Sequence, residues 1–195
     1  MQSTIILPML SDLILYINTI NLVYALAGLC VLGLTAVLFF DYFYNNRKLY
    51  IRFISHYVWQ IIIVTLFGGV ATTLLYSEVF GFVPCSLCWL QRVALYSQAL
   101  ICIVALRMKD TVYFPRYGIT LSVFGLLVAI YQYIYQALPQ ELLESGLVPC
   151  LTDGSADCSK KIIEIFGFVT FPFLSAVLFA FLIVIYLNLR SQRKY

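Results

Sequence analysis

Residues 166–187, FGFVTFPFLSAVLFAFLIVIYL, form a run without a charged side chain. A helix needs about 20 apolar residues to cross the hydrocarbon core of a membrane, and this run is long enough. Four further runs have the same character, at residues 15–40, 57–80, 88–106 and 118–137. They are continuous, whereas the strands of a membrane barrel are segments of about 10 residues with alternating hydrophobicity. The sequence therefore predicts an all-α integral membrane protein with five spans.

The composition of the whole chain points to the same class. Hydrophobic residues make up 63% of the 195 residues, and charged residues only 11%. A soluble domain is about 45–50% apolar and about 25% charged. So few charges cannot cover a water-facing surface, which excludes an ordinary soluble globule and a disordered chain. The formal net charge of +3 comes without a basic stripe, which excludes a nucleic-acid binder.

The positive charges predict an orientation in the membrane. They follow the first, third and fifth spans, as Arg47, Lys48, Arg52, Arg107, Lys109, Arg116, Arg190, Arg193 and Lys194. Connections rich in Lys and Arg stay in the cytoplasm. We therefore expect the N-terminus and the connections after the second and fourth spans to lie outside, and the C-terminus inside. The first span lacks the positive n-region of a signal peptide, so we expect a retained helix.

Six cysteines against a single histidine are the second unusual feature. Cys30 and Cys102 fall within spans, where we expect them to be small buried apolar residues. The other cysteines form two pairs, Cys85 with Cys88 and Cys150 with Cys158. Both pairs fall on the expected outer side, where disulfides persist.

Three roles are open to these four cysteines: structural disulfides that brace outer loops, a zinc site, and redox catalysis. Two pairs of thiols can bind zinc, but His56 lies on the expected inner side, which disfavours zinc and heme. Cys88 falls in the first turn of the third span, where free backbone N–H groups stabilise a thiolate. Arg92 follows one turn later on the same face. An arginine within a span is costly and indicates a functional site, which favours redox catalysis.

A thiolate beside a fixed cation in the membrane indicates a lipid-soluble electron acceptor, and a quinone is the obvious candidate. Reduction places negative charge on the oxygens of a quinone. The planar guanidinium of Arg92 would hydrogen-bond such an oxygen and stabilise the charge as it develops.

The run PCSLCWLQR, residues 84–92, resembles the motif of the DsbB family of disulfide bond formation proteins. Its specific feature is a Cys-X-X-Cys pair with an arginine four residues after the second cysteine. Later residues resemble the end of the family's second outer loop and the start of its last helix, namely Asp157, Cys158, Phe166, Gly167, Phe168 and Pro172. The resemblance implies a four-helix catalytic bundle over residues 57–195, preceded by an additional span and cytoplasmic loop over residues 1–56.

The resemblance also implies a function. Such proteins are quinone-dependent thiol oxidases of the bacterial inner membrane, with redox-active loops facing the periplasm. They reoxidise a soluble thioredoxin-fold protein of the DsbA type and pass the electrons to ubiquinone or menaquinone. By position, Cys88 resembles the cysteine that engages the quinone, Cys85 its partner, and Arg92 the arginine beside the quinone. Cys150 resembles the loop cysteine that the reduced oxidase attacks, and Cys158 its loop partner.

Two features depart from the family pattern. The first span has no counterpart among the four helices, so the resemblance assigns it no role. Cys150 and Cys158 are separated only by residues 151–157, a shorter loop than in the best-known members. A vitamin K epoxide reductase-like protein is the closest enzymatic rival, but its membrane Cys-X-X-Cys pair comes after the loop cysteines, so the order here is wrong for it. The alternative function is a non-catalytic membrane protein with two structural disulfides.

Overall fold

The computed structural model describes residues 3–44, 48–139, 158–159 and 161–191, with side chains described from residue 16 onward except at 52, 53 and 191. It contains five long helices: α1 (Ser3–Tyr44), α2 (Val58–Leu74), α3 (Ser86–Met108), α4 (Phe114–Tyr135) and α5 (Phe171–Ser191). Two π-helical turns, Tyr50–Ile54 and Leu75–Val79, precede and extend α2. Two short antiparallel strands, β1 (Glu164–Ile165) and β2 (Val169–Thr170), lead into α5.

Five segments within these helices are long and apolar enough to cross a membrane. They are Tyr16–Tyr44, Val58–Val79, Ser86–Met108, Phe114–Ala137 and Phe171–Arg190. Each overlaps one of the runs predicted from the sequence, so the predicted number and place of the spans are confirmed. The orientation of these spans in the membrane stays a prediction.

Helices α2 to α5 form an antiparallel bundle, in which α5 packs along α4 over most of its length. Two glycines of α4 make this close approach feasible. A Cβ atom at Gly125 would lie 2.4 Å from the ring of Phe179, and one at Gly118 would lie 2.6 Å from the ring of Tyr186. Both rings are almost fully buried, so they fill space that a larger residue on α4 would occupy.

Helix α1 lies beside this bundle and packs mainly against α5. Its buried residues recur at helical spacing along one side, with Ala25 and Leu38 almost fully covered. Gly28 lies on the same side, where an added Cβ would meet the side chain of Leu174 at 2.3 Å. The additional span predicted from the sequence is therefore a helix in contact with the bundle.

The antiparallel arrangement brings the ends of α2 and α4 to the same end of the bundle as the starts of α3 and α5. We call this the cysteine end, because Cys85 and Cys88 lie there at the start of α3. Cys158 lies at the same end, since its backbone carbonyl accepts a hydrogen bond from Gln136 just beyond α4 (3.2 Å).

Candidate active site

Cys85 and Cys88 are held together by the start of α3. Cys85 is the N-cap residue, in extended backbone conformation after Pro84, and its sulfur accepts a hydrogen bond from the backbone N–H of Cys88 at 3.4 Å. The two Sγ atoms lie 2.7 Å apart, and both residues are free thiols. Since a disulfide bond is about 2.05 Å long, a small approach of the two sulfurs closes or opens the bond without moving the helix.

The surroundings of Cys85 favour its protonated form. Its side chain is buried, and it packs in a small cluster with Leu87, Tyr135 and Cys158. The hydrogen bond to Cys88 and the burial both raise the pKa of Cys85 well above its ordinary value. Cys85 therefore keeps its proton at neutral pH and can donate it to the sulfur of Cys88.

Gln132 of α4 contacts both sulfurs. Its side-chain nitrogen donates to Cys85 Sγ and to Cys88 Sγ, each at 3.4 Å. The amide is oriented by Gln91, whose side-chain nitrogen donates to Gln132 Oε1 at 2.6 Å. The sequence interpretation assigned no role to either glutamine. The sequence feature that could have indicated them is a polar amide within a mostly apolar span, because polar groups in a membrane usually serve a function.

Arg92 is buried on the same side of α3 as Cys88 and interacts electrostatically with it. Its guanidinium donates to the backbone carbonyl of Thr73 at 2.9 Å and to Ser77 Oγ at 3.4 Å. It also lies 5.3 Å from the ring centre of Trp89. Within the described part of the chain, Arg92 forms no ion pair. Its charge is therefore held in place by neutral partners and remains available to a ligand.

Cys158 lies close to the first pair. It is fully buried and disulfide-bonded, and its sulfur lies 3.9 Å from Ser86 Oγ, next to Cys85 in sequence. The structure thus brings three of the four predicted cysteines to one place. Cys150 lies outside the described residues, so its predicted position beside the others is not tested.

A cavity of about 840 Å³ adjoins the free cysteine pair. Cys85, Cys88, Gln132 and Arg92 all line it, at the cysteine end of the bundle. The remaining wall comes from apolar side chains of α5 and of residues 82–84, from threonines and small residues of α2, and from residues of α1. Binding sites for small molecules typically combine such apolar walls with a few converging polar groups. The arrangement can hold a largely apolar molecule with one polar end against a sulfur and a guanidinium.

Comparison with known proteins identifies the family. The family model of the disulfide bond formation protein DsbB matches residues 55–189. The SPbeta prophage-derived disulfide bond formation protein B of Bacillus subtilis is 36% identical over 145 residues, covering 73% of this chain and 91% of that protein. Disulfide bond formation protein C of the same organism is 31% identical, covering 69% of this chain and 91% of that protein.

A probable disulfide formation protein of Oceanobacillus iheyensis is 38% identical, covering 67% of this chain and 86% of that protein. No solved structure matches the chain significantly. The family match begins after α1 and includes both the free cysteine pair and Cys158. The resemblance read from residues 84–92 is thereby confirmed, and the chain belongs to the DsbB family of disulfide bond formation proteins.

Proposed function

We propose that this protein oxidises the thiols of a DsbA-type thioredoxin-fold protein and transfers the electrons to a membrane quinone. Membership of the DsbB family implies thiol–disulfide oxidation at a membrane. The identities of the donor and of the acceptor go beyond what family membership implies. The observation that carries it is one cavity lined by both a free cysteine pair and a buried arginine.

The residues that line the cavity fit a quinone. Its volume of about 840 Å³ is within the range of small-molecule sites. Its apolar walls suit a ring with a hydrocarbon tail, and Arg92 offers guanidinium N–H groups to a ring oxygen. Because neutral groups alone hold Arg92, no carboxylate in the described part of the chain competes for its charge. A quinone bound there would supply an acceptor for two electrons and two protons.

The first steps are thiol–disulfide exchanges. A thiolate of the reduced donor attacks a Cys150–Cys158 disulfide and forms a mixed disulfide. The second thiol of the donor resolves it, so the donor leaves oxidised and Cys150 and Cys158 become thiols. These thiols then reduce a Cys85–Cys88 disulfide by a second exchange. The contact between Cys158 and Ser86 supports an exchange between the two pairs, since Cys158 lies beside the first pair.

The last step returns Cys85 and Cys88 to the disulfide. The Cys88 thiolate bonds to the sulfur of Cys85 as Cys85 loses its proton, and a bound acceptor would take up the two electrons and two protons that this oxidation releases. Gln132 holds the two sulfurs together and hydrogen-bonds the charge on Cys88. Arg92 stabilises negative charge that develops on the acceptor. In sum, two electrons and two protons leave the donor dithiol, and the protein ends in its starting state.

The reduction potential of the donor restricts the choice of acceptor. DsbA-type oxidases have a reduction potential of about −120 mV, so the acceptor must be more oxidising than this value. Glutathione pools, at about −180 mV or lower, do not meet this condition. A quinone of the bacterial inner membrane, with the two cysteine pairs facing the periplasm, is consistent with the predicted orientation.

The stoichiometry of donor oxidation tests this proposal. The purified, fully oxidised protein is mixed with an excess of reduced DsbA-type protein, with and without a short-chain ubiquinone or menaquinone. Without quinone we expect at most about two donor dithiols oxidised per chain, one for each cysteine pair. With quinone we expect continued turnover and equal amounts of quinol and oxidised donor. Oxidation that stops at the same level in both samples would favour the rival protein with two structural disulfides.

A further inference from the structure

Helix α1 lies outside the residues that match the family, yet it forms part of the cavity wall. The matching segment begins at residue 55, after α1 ends. Four residues of α1 nevertheless line the cavity beside Cys88 and Arg92, namely Tyr24, Ala27, Gly28 and Val31. Their spacing places them on one side of the helix, where Tyr24, Gly28 and Val31 are partly buried and Ala27 is exposed.

Polar contacts anchor α1 at this position. Asn21 is buried, and its side-chain oxygen accepts a hydrogen bond from the hydroxyl of Tyr76. Thr72 donates to the hydroxyl of Tyr24 at 3.2 Å, and the rings of Tyr24 and Tyr76 pack edge to face. Hydrogen bonds between polar side chains of neighbouring spans stabilise helix association in a membrane. These contacts fix α1 against the end of α2.

Helix α1 covers the boundary between α2 and α5. Helices α2 and α5 contact each other less than the other neighbouring pairs of the four-helix bundle do. The cavity lies along this boundary, with Thr65 and Thr72 of α2 on one side and Leu174 and Leu178 of α5 on the other. A cavity between two loosely packed spans would be open to lipid, and α1 lies where it closes that opening.

We infer that α1 is the third wall of the acceptor site, so that its small residue Ala27 determines how tightly the protein binds a quinone. This inference rests on the proposed function, because it takes a quinone as the occupant. Cys88 and Arg92 would hold the ring of such a ligand, and the α1 side of the cavity would take its tail. A larger side chain at Ala27 narrows the cavity from the α1 side, whereas one at Gly28 would meet Leu174.

A bulky substitution at Ala27, matched by one on the same helix outside the cavity, tests the inference. Ala27→Phe adds a ring to the cavity wall, whereas Ala36→Phe adds the same ring at an exposed position that does not line the cavity. Binding of a short-chain ubiquinone is measured first, by quenching of tryptophan fluorescence in detergent. Steady-state turnover and the quinone-free oxidation of reduced donor are then measured on the same samples.

For Ala27→Phe we expect the Kd and the KM for quinone to rise about 10-fold. We expect kcat and the quinone-free oxidation of donor to stay within about 2-fold of wild type, and Ala36→Phe to match wild type throughout. Ala27→Leu, a smaller change, should give an intermediate Kd. This gradation keeps the inference testable if the phenylalanine variant does not fold.

Three results would overturn the inference, and they separate it from the proposed function. Equal quinone Kd values for wild type, Ala27→Leu and Ala36→Phe would show that α1 is no part of the site while the proposed function stands. An equal loss of affinity in Ala27→Phe and Ala36→Phe would assign the effect to general disturbance of α1. Absence of quinone binding by the wild type would contradict the proposed function as well.

Discussion

At the scale of single residues, Cys85 and Cys88 lie one helical turn apart but in different surroundings. Cys85 is buried in the small cluster with Tyr135 and Cys158, and burial and its hydrogen bond to Cys88 raise its pKa. Both cysteines line the cavity, but Cys88 is only partly buried and interacts electrostatically with Arg92. This asymmetry suits a pair in which one cysteine exchanges with another disulfide and the other faces an electron acceptor.

The sequence alone predicted the site residues that are close to one another in the chain. Cys85, Cys88 and Arg92 belong to one helix start, so helical geometry alone places them together. Gln132 comes from another helix, and its contact with the sulfurs depends on how α4 packs against α3. No local pattern encodes that register, so the sequence offered only the signal of a polar residue in a span.

Replacing Gln132 tests its role beside the sulfurs. Gln132→Leu removes the donor to both Sγ atoms, and we expect quinone reduction to slow about 10-fold, as the loss of one or two hydrogen bonds implies. Gln98→Leu is the matched control, since Gln98 is equally buried but bonds Ser122 and Tyr186 instead. We expect that control to lower the thermal stability and leave the rate near wild type. Equal rates in the two variants would remove Gln132 from the site.

Replacing Arg92 tests the role of its charge. Hydrogen bonds to charged groups are worth about 1.5–3 kcal/mol, so Arg92→Ala should slow quinone reduction roughly 10- to 100-fold. Both cysteine pairs should still form disulfides, as thiol counting with and without a reductant would show. Arg116→Ala is the control, because Arg116 likewise packs on an aromatic ring, that of Tyr113, away from the cavity. A wild-type rate in Arg92→Ala would mean that the arginine only braces α2 against α3.

At the scale of elements, the contact between α4 and α5 depends on glycines. Gly125→Ala places a methyl group against the buried ring of Phe179, and the ring cannot move aside without displacing its neighbours. We expect a loss of about 1–3 kcal/mol, the usual cost of overpacking a core, seen as a lower Tm in detergent. Gly33→Ala meets no atom within 4 Å and should leave the Tm unchanged or raise it. Equal Tm values for the two variants would contradict this packing.

The hydrophobic runs predicted the spans, but not how they pack. Residues 166–187 and 15–40 read as similar apolar helices, although α5 lies in the bundle and α1 lies beside it. Lipid and protein interiors are both apolar, so hydrophobicity does not distinguish a central span from a peripheral one. The position of α1 against the cavity therefore became visible only in the structure.

At the scale of the whole molecule, the predicted orientation places the cysteine end outside and the positively charged connections in the cytoplasm. Single cysteines in a cysteine-free background test it. We expect Glu78→Cys to react with a membrane-impermeant maleimide in intact cells whose outer membrane is permeable to it. Lys109→Cys, at the other end of α3, should react only after the inner membrane is opened. The reverse labelling pattern would show the opposite orientation, in which a periplasmic donor could not reach the cysteine pairs.

The most direct test of the central claim is quinone reduction by the purified protein, with a reduced DsbA-type protein as donor. The wild type is compared with Cys88→Ser and with Cys30→Ser. Cys30 is a free thiol of α1 that is exposed, so the expectation that it is buried was wrong. We expect quinol to form with the wild type and Cys30→Ser, and none above background with Cys88→Ser. Quinone reduction that persists in Cys88→Ser would contradict the claim. Failure of the folded wild type to reduce any quinone would contradict it as well.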